Sequence, residues 1–281
     1  MPPLVTRVLV AVLLLGALTG CLPTGSEQAG ASAEAVTTAI TTAITAGLAA
    51  GVPRLHPEVL GTLPHDTAAW TEGLEIDGGV LYESTGLAGK SRLSELDPDT
   101  GRVERASPLP ADLYGEGVTV LGDRIWQLTW QDGVALEWDR ATLTPVRQVP
   151  WTGEGWGLCH TGDGRVIASD GTDVLRVRSG TDLAPLGTLT VRIAGRPLPG
   201  LNELECTPGA VWANVYRTDW LVRIDPVSGA VTAVVDAAGL LPADQRGGTD
   251  VLNGIAAIPG TDEFLLTGKL WPTLFRVRFV S

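Results

Sequence analysis

Leu93-Ser-Glu-Leu-Asp97-Pro-Asp-Thr-Gly101-Arg-Val103 reads as a strand, a tight turn and a second strand. Asp-Pro opens the turn, and the glycine can take the positive φ needed to leave it. Leu221-Val-Arg-Ile-Asp225-Pro-Val-Ser-Gly229-Ala-Val231 repeats the pattern almost residue for residue. Weaker copies are Leu136-Glu-Trp-Asp139 before Thr142-Leu-Thr-Pro-Val146, and Leu175-Arg-Val-Arg178 before Leu183-Ala-Pro-Leu186. A last strand, Leu274-Phe-Arg-Val-Arg278, lacks its turn. The equivalent positions 97, 139, 178, 225 and 278 are 42, 39, 47 and 53 residues apart. Periods of roughly 40–50 residues with about four short strands per unit are the pattern of a β-propeller. A β-sandwich also alternates strands and turns but has no reason to repeat one turn at this interval. The expected fold is all-β, a five-bladed β-propeller.

Working outward to the N-terminus, Arg7 gives a short positive region and Val8 to Leu18 an apolar run too short to span a bilayer comfortably. Leu18-Thr-Gly-Cys21 then matches a bacterial lipobox. Residues 1–20 read as a lipoprotein signal peptide, and Cys21 as the lipidated residue holding the protein outside the cytoplasm, anchored to the cell membrane. Residues 21–56 are rich in Ala, Thr and Gly; Thr and Gly argue against a stable helix over Ala31 to Ala50, so the segment reads as a flexible tether. Residues 57–281 form the propeller.

All nine Trp fall in that body, and its Gly and β-branched residues suit short strands and turns. A formal charge of −12 disfavours nucleic acid and anionic membrane as partners, leaving the lipid anchor as the membrane contact of a monomer. Cys159 and Cys206 remain as a candidate disulfide in an oxidising compartment, with two free thiols as the alternative.

A second series runs at comparable phase, one motif per unit: Trp70-Thr-Glu-Gly-Leu74, Tyr114-Gly-Glu-Gly-Val118, Glu154-Gly-Trp-Gly-Leu158, Leu201-Asn-Glu-Leu-Glu205 and Leu252-Asn-Gly-Ile255. In a propeller these converge on the central channel. Hydrolase elbows, His-Glu-x-x-His and Cys-x-x-Cys are absent, and the three His are scattered. Carboxylate, amide and indole groups remain. Glu116, between two glycines, is placed for a pKa raised by desolvation into the range useful for proton transfer. It can equally serve to satisfy backbone amides where strands crowd. Trp70, Trp130 and Trp156 suggest an apolar cage or simple packing, and Lys269 a blade end or a solvated surface.

These motifs, with Leu81-Tyr-Glu-Ser-Thr-Gly-Leu87, Gln127-Leu-Thr-Trp130, Trp212-Ala-Asn-Val215 and Thr267-Gly-Lys-Leu-Trp-Pro-Thr-Leu-Phe275, resemble the plant and bacterial type of glutaminyl-peptide cyclotransferase from about Leu63 to Phe279. The resemblance implies a five-bladed propeller that converts N-terminal glutamine of peptides to pyroglutamate and releases ammonia. It implies no required cofactor, though it leaves room for a structural metal ion in the channel. It places the proton-transfer residue on Glu116 and pocket residues on Trp130, Trp156, Asn202 and Lys269. Trp70 and Glu72 stand where plant members have Phe and Gln, and Tyr216 replaces a third pocket Trp. Two other readings fit the residues: a metal-dependent, lactonase-like hydrolase on a propeller, and a non-catalytic envelope binding module.

Overall fold

A computed structural model describes residues 25–281, with side chains from Glu34 onward. Residues 1–20, read above as a signal segment, and Cys21 lie outside the described residues. The chain divides into two units, Met1–Ala35 and Val36–Ser281. The second is all-β apart from the end of one helix and a single 3-10 turn.

Three four-stranded antiparallel sheets follow one another along the chain. The first contains Thr71–Asp77, Val80–Thr85, Arg92–Leu96 and Val103–Pro108. The second contains Gly115–Leu121, Arg124–Thr129, Val134–Asp139 and Thr144–Pro150. The third contains Leu158–His160, Arg165–Ala168, Val174–Ser179 and Pro185–Thr190. An eight-stranded sheet follows, in the order Leu201–Thr207, Ala210–Val215, Trp220–Ile224, Val231–Asp236, Arg54–Pro64, Thr273–Val280, Glu263–Gly268 and Leu252–Ala257. Its halves meet only where Arg54 and Leu55 lie parallel to Val234 and Val235. The rest of Arg54–Pro64, from His56, pairs antiparallel with Thr273–Val280.

The repeated turns form as their chemistry predicts. Asp97 Oδ1 accepts the amides of Asp99 and Thr100, and Asp225 Oδ1 those of Val227 and Ser228. Gly101 and Gly229 leave these turns at φ 69° and 72°. In the weaker copies Leu143 and Leu183 take the same left-handed position, at φ 53° and 59°. Both leucines are buried, and packing offsets the backbone cost of a non-glycine residue there. The third copy is in register at Ser179, one residue later than the 178 read from sequence, because Ser179 N–H bonds Ala184 O as Asp97 N–H bonds Arg102 O.

The first strands of the successive sheets touch in a closed ring: Thr71–Asp77, Gly115–Leu121, Leu158–His160, Leu201–Thr207, Leu252–Ala257 and back to Thr71–Asp77. Glycine permits the approach. A Cβ on Gly73 would stand 2.8 Å from Val118 N, and one on Gly117 2.5 Å from Leu158 N. At the fourth equivalent position the chain has Glu203 instead. Its carboxylate spans the ring, accepting the amides of Leu74 at 3.1 Å and Ile255 at 2.8 Å. At one end of this channel Glu75 accepts Thr119 O–H at 2.5 Å and Val120 N–H at 3.0 Å, and Glu205 is buried nearby. Cys159 and Cys206 form a disulfide there, Cα atoms 5.4 Å apart, joining the third and fourth first strands.

The tether expectation is corrected by helix α1, Gly25–Ala49. Ile40, Ala43 and Ile44 are buried against Val191, Ile193, Leu198, Leu201 and Val215. Spacing at i, i+3 and i+4 makes one narrow apolar stripe, and tertiary burial of that stripe outweighs the weak propensity of Thr and Gly.

Burial first, then the charges of Glu75 and Glu203, hold the Glu205 carboxyl well above the usual carboxylate range. A raised folded pKa means that the native state holds this proton more tightly than the unfolded chain does. The associated stability is full at low pH and is lost as pH rises through the folded value. Glu205→Gln, neutral at every pH, is therefore expected to be more stable than wild type at pH 8. The gap should close towards pH 4. Urea unfolding at several pH values checks this, and a destabilisation that grows with pH would contradict it.

Candidate active site

Four of the five first strands carry an irregularity at their entry to the ring; Leu158–His160 pairs regularly. Pairing registers shift between Thr71 and Gly73, Gly115 and Val118, Leu201 and Leu204, and Leu252 and Ile255. A bulge takes one residue out of the ladder and re-aims its side chain. The residues freed are Glu72, Glu116, Asn202 and Asn253. The partner strands end at the same face, so Trp130, Tyr216 and Lys269, each just past a second strand, arrive there too.

These residues enclose a cavity of about 160 Å³ lined by Trp70, Glu72, Tyr114, Glu116, Trp130, Trp156, Asn202, Tyr216 and Lys269. All eight positions singled out as catalytic or substrate-binding from sequence are thus brought to one site. Tyr114 was missed, although it precedes the Gly-Glu-Gly motif. Glu154 was missed as a support: its Oε2 accepts both Trp130 Nε1–H at 3.0 Å and Trp156 Nε1–H at 2.9 Å. Trp156 meets Tyr216 edge-on at 5.1 Å, and Tyr114 meets Trp130 at 5.6 Å.

The floor is a dyad of carboxyls beside one ammonium. Lys269 Nζ donates to Glu72 Oε1 at 2.6 Å and stands over the Trp70 ring at 5.2 Å. Tyr114 O–H donates to the same oxygen at 3.0 Å, and Asn253 Nδ2–H to Oε2 at 3.1 Å. Among the described residues Glu116 receives no such donors and meets the Glu72 carboxyl instead. Burial, then the Glu72 charge, raises Glu116 well above the ordinary carboxylate range, with Lys269 opposing. Burial raises Glu72 as well, but Lys269 and the Tyr114 hydroxyl oppose the rise there, so of the two coupled carboxyls Glu116 is pushed further and holds a shared proton more tightly. The Asn202 carboxamide has no protein partner among the described residues and faces the same cavity.

Behind the site, His65 and Glu83 form a buried pair, Nε2 to Oε1 at 2.9 Å. Thr71 O–H donates to the same Glu83 oxygen at 2.8 Å, while His65 Nδ1 contacts Trp271 O at 2.8 Å. The pair thereby braces the neighbours of both Glu72 and Lys269. Glu203 and Glu75 are occupied by backbone and hydroxyl donors, and among the described residues no group of three His, Cys, Asp or Glu is placed to hold a metal.

The family model for glutamine cyclotransferase matches residues 31–279. The chain belongs to the glutamine cyclotransferase family. It is 37% identical over 227 residues to glutaminyl-peptide cyclotransferase of Arabidopsis thaliana, covering 79% of this chain and 70% of that protein. The crystal structure of Myxococcus xanthus glutaminyl cyclase superposes with a TM-score of 0.74 at 34% identity, covering 81% of this chain and 98% of the other.

In this cyclotransferase-family chain α1 reaches the site through a glycine turn. A Cβ on Gly200 would stand 2.6 Å from Ile40 Cδ1, so the isoleucine packs directly on bare backbone. Gly200 O accepts Tyr216 N–H, and Gly200 N–H bonds Gly171 O, both at 2.8 Å. Gly171 in turn carries the Trp156 ring, 2.6 Å from where its Cβ would be. Ile40 therefore props two walls of the cavity. Ile44, equally buried in the same cluster, is absent from the nearest neighbours of Gly200. Truncating either to Ala should cost about 2–4 kcal/mol of stability. Ile40→Ala alone is expected to raise KM for the substrate about fivefold with kcat nearly unchanged, a loss near 1 kcal/mol. Equal KM values in the two variants would remove the prop.

Proposed function

We propose that this protein is a glutaminyl-peptide cyclotransferase, converting N-terminal glutamine of peptides to pyroglutamate with release of ammonia, built on a five-bladed β-propeller. The blade count is supported by the closed ring of five first strands. It is further supported by the two-residue junction of the eight-stranded sheet, which separates Leu201–Asp236 from a set completed by Arg54–Pro64. The activity is carried by family membership together with one observation: a buried Glu116 beside a second carboxyl and one ammonium, in a cavity of about 160 Å³, enough for a single glutaminyl residue.

Cyclisation needs no external nucleophile, and no Ser, Thr or Cys lines the cavity. The substrate's own α-amine attacks its γ-carboxamide carbon, giving a tetrahedral intermediate. Glu116 as carboxylate takes a proton from the attacking nitrogen and, as acid, returns it to the departing NH₂. The C–N bond then breaks, ammonia leaves, and the five-membered lactam remains. A carboxyl that burial holds well above the usual carboxylate range lies closer in proton affinity to the amine it serves, which makes both transfers less costly. Asn202 is placed to donate to the substrate carbonyl. Lys269, held by Glu72, supplies positive charge towards the developing oxyanion. Trp130, Trp156 and Tyr216 wall the ring-forming conformer and exclude water, favouring cyclisation over hydrolysis. The protein acts outside the cytoplasm, anchored through a lipid on Cys21, on peptides or proteins that present glutamine first.

Glu116→Gln is expected to lower ammonia release from a Gln-initiated peptide by roughly 10²–10⁴-fold while retaining peptide binding. Near wild-type turnover would eliminate the shuttle. The ascending limb of kcat/KM against pH should lie above the ordinary carboxylate range, since Glu116 must ionise to accept the proton. Glu72→Gln removes the charge that raises Glu116 and leaves Lys269 uncompensated, so the limb should move to lower pH. An unmoved limb would show that the two carboxyls are not coupled.

A further inference from the structure

The glutaminyl cavity holds about one residue, so the peptide beyond it must cross the same face of the molecule. A larger cavity of about 360 Å³ adjoins it there. The partition is made of two turns whose residues alternate between the two sides. Tyr216 lines the smaller cavity and Arg217 the larger; Lys269 lines the smaller and Trp271 the larger. The Lys269 backbone is tied to the far wall, with Asp250 N–H to Lys269 O and Lys269 N–H to Val251 O both 2.9 Å. Each turn holds a non-glycine residue in the left-handed region, Arg217 at φ 58° and Leu270 at φ 61°. Such backbone persists where surrounding structure enforces it, and it clusters at ligand clamps.

The chemistry of the larger cavity suits a peptide. Leu241, Leu252 and Trp271, mostly buried, reach its base, and most of the remaining lining is polar. Two guanidinium groups stand at its rim, and neither has a carboxylate partner among the described residues. Arg217 lies over the Tyr216 ring at 5.3 Å, and Arg246 spends only Nε–H, on Leu241 O at 3.1 Å. Guanidinium groups only donate, so they call for carbonyl or carboxylate oxygens. Asp250 at the rim already accepts Val251 N–H at 2.7 Å; Asp219 adds one further acid, so the rim as a whole carries no excess of either sign. Main-chain carbonyls, which any sequence supplies, match that balance better than a charged side chain.

The geometry points to an extended-chain subsite: the cavity receives the two residues that follow the glutamine, seating a large apolar side chain on Leu241, Leu252 and Trp271 while Arg217 and Arg246 donate to their carbonyls. This rests on the cyclotransferase reading. It makes the protein selective for peptides over free glutamine derivatives, and for bulky apolar residues directly after the glutamine.

The test compares kcat/KM for glutamine amide, Gln-Gly-Gly amide and Gln-Phe-Ala amide in wild type, Thr249→Trp and Arg246→Ala. Thr249 lines the larger cavity and not the smaller, so a Trp there fills the subsite and spares the glutaminyl pocket. Wild type is expected to favour Gln-Phe-Ala amide over glutamine amide by about tenfold, the scale of a filled apolar pocket. Thr249→Trp should erase that advantage with glutamine amide turnover unchanged, which also reports that the variant is folded. Arg246→Ala should lower turnover of both peptides about threefold, a value near the loss of one modest hydrogen bond. Equal kcat/KM for all three substrates in wild type, or an advantage that survives Thr249→Trp, would overturn the subsite alone. No turnover of any glutaminyl substrate would overturn the cyclotransferase reading and the subsite with it.

Discussion

The close approach of five first strands around one axis is the constraint on which the rest of this structure depends. Backbone groups there meet at distances that leave no room for a Cβ at Gly73, Gly117 or Gly157. Strands pressed together this tightly cannot all keep regular pairing with their neighbours. The resulting bulges turn Glu72, Glu116 and Asn202 out of their ladders and into one small cavity. Packing at the axis and placement of the chemical groups are therefore one event. Glu203 shows the same constraint from the other side, since a residue with a long side chain fits the ring only by spanning it and bonding two strands at once.

Electrostatics within the cavity follow from which groups were given partners. Glu72 is surrounded by donors from Lys269, Tyr114 and Asn253, each delivered by a different strand or loop. Glu116, a few ångströms of backbone away in the next sheet, has none of them. Burial raises both chemically identical side chains, but the donors around Glu72 restrain it, so the two are pushed unequally and Glu116 further. The aromatic wall needs its own fixing, supplied by Glu154 on the indole nitrogens and by the Ile40–Gly200 contact beneath Trp156 and Tyr216.

Much of this was legible in the chain. Asp97-Pro and Asp225-Pro announced their turns because both the capping carboxylate and the left-handed glycine are local requirements. The first-strand motifs showed where polar groups would gather, since Gly beside Glu or Asn is a pattern that ordinary core strands lack. What escaped was non-local. Leu143 and Leu183 occupy glycine-type turn positions because burial offsets their backbone cost, and no neighbouring residue signals that. Helix α1 has poor intrinsic propensity, and its stripe of Ile40, Ala43 and Ile44 gains meaning only from the apolar surface of Val191 to Val215 that receives it. Glu154 likewise reads as a loop acid until two indoles converge on it.

The pairing of Arg54–Pro64 with Thr273–Val280 bears on how the protein is made. That strand is among the first elements of the body to emerge during synthesis and the last to find its partner, more than two hundred residues later. Until then Thr273–Val280 presents an open edge, and the last sheet lacks its outer strand. Pairing at such separation is slow, and unpaired edges are where chains associate wrongly. The intermediate most exposed to aggregation or proteolysis is therefore a nearly complete molecule missing one strand, and its lifetime, more than native stability, would govern the yield of the folded protein.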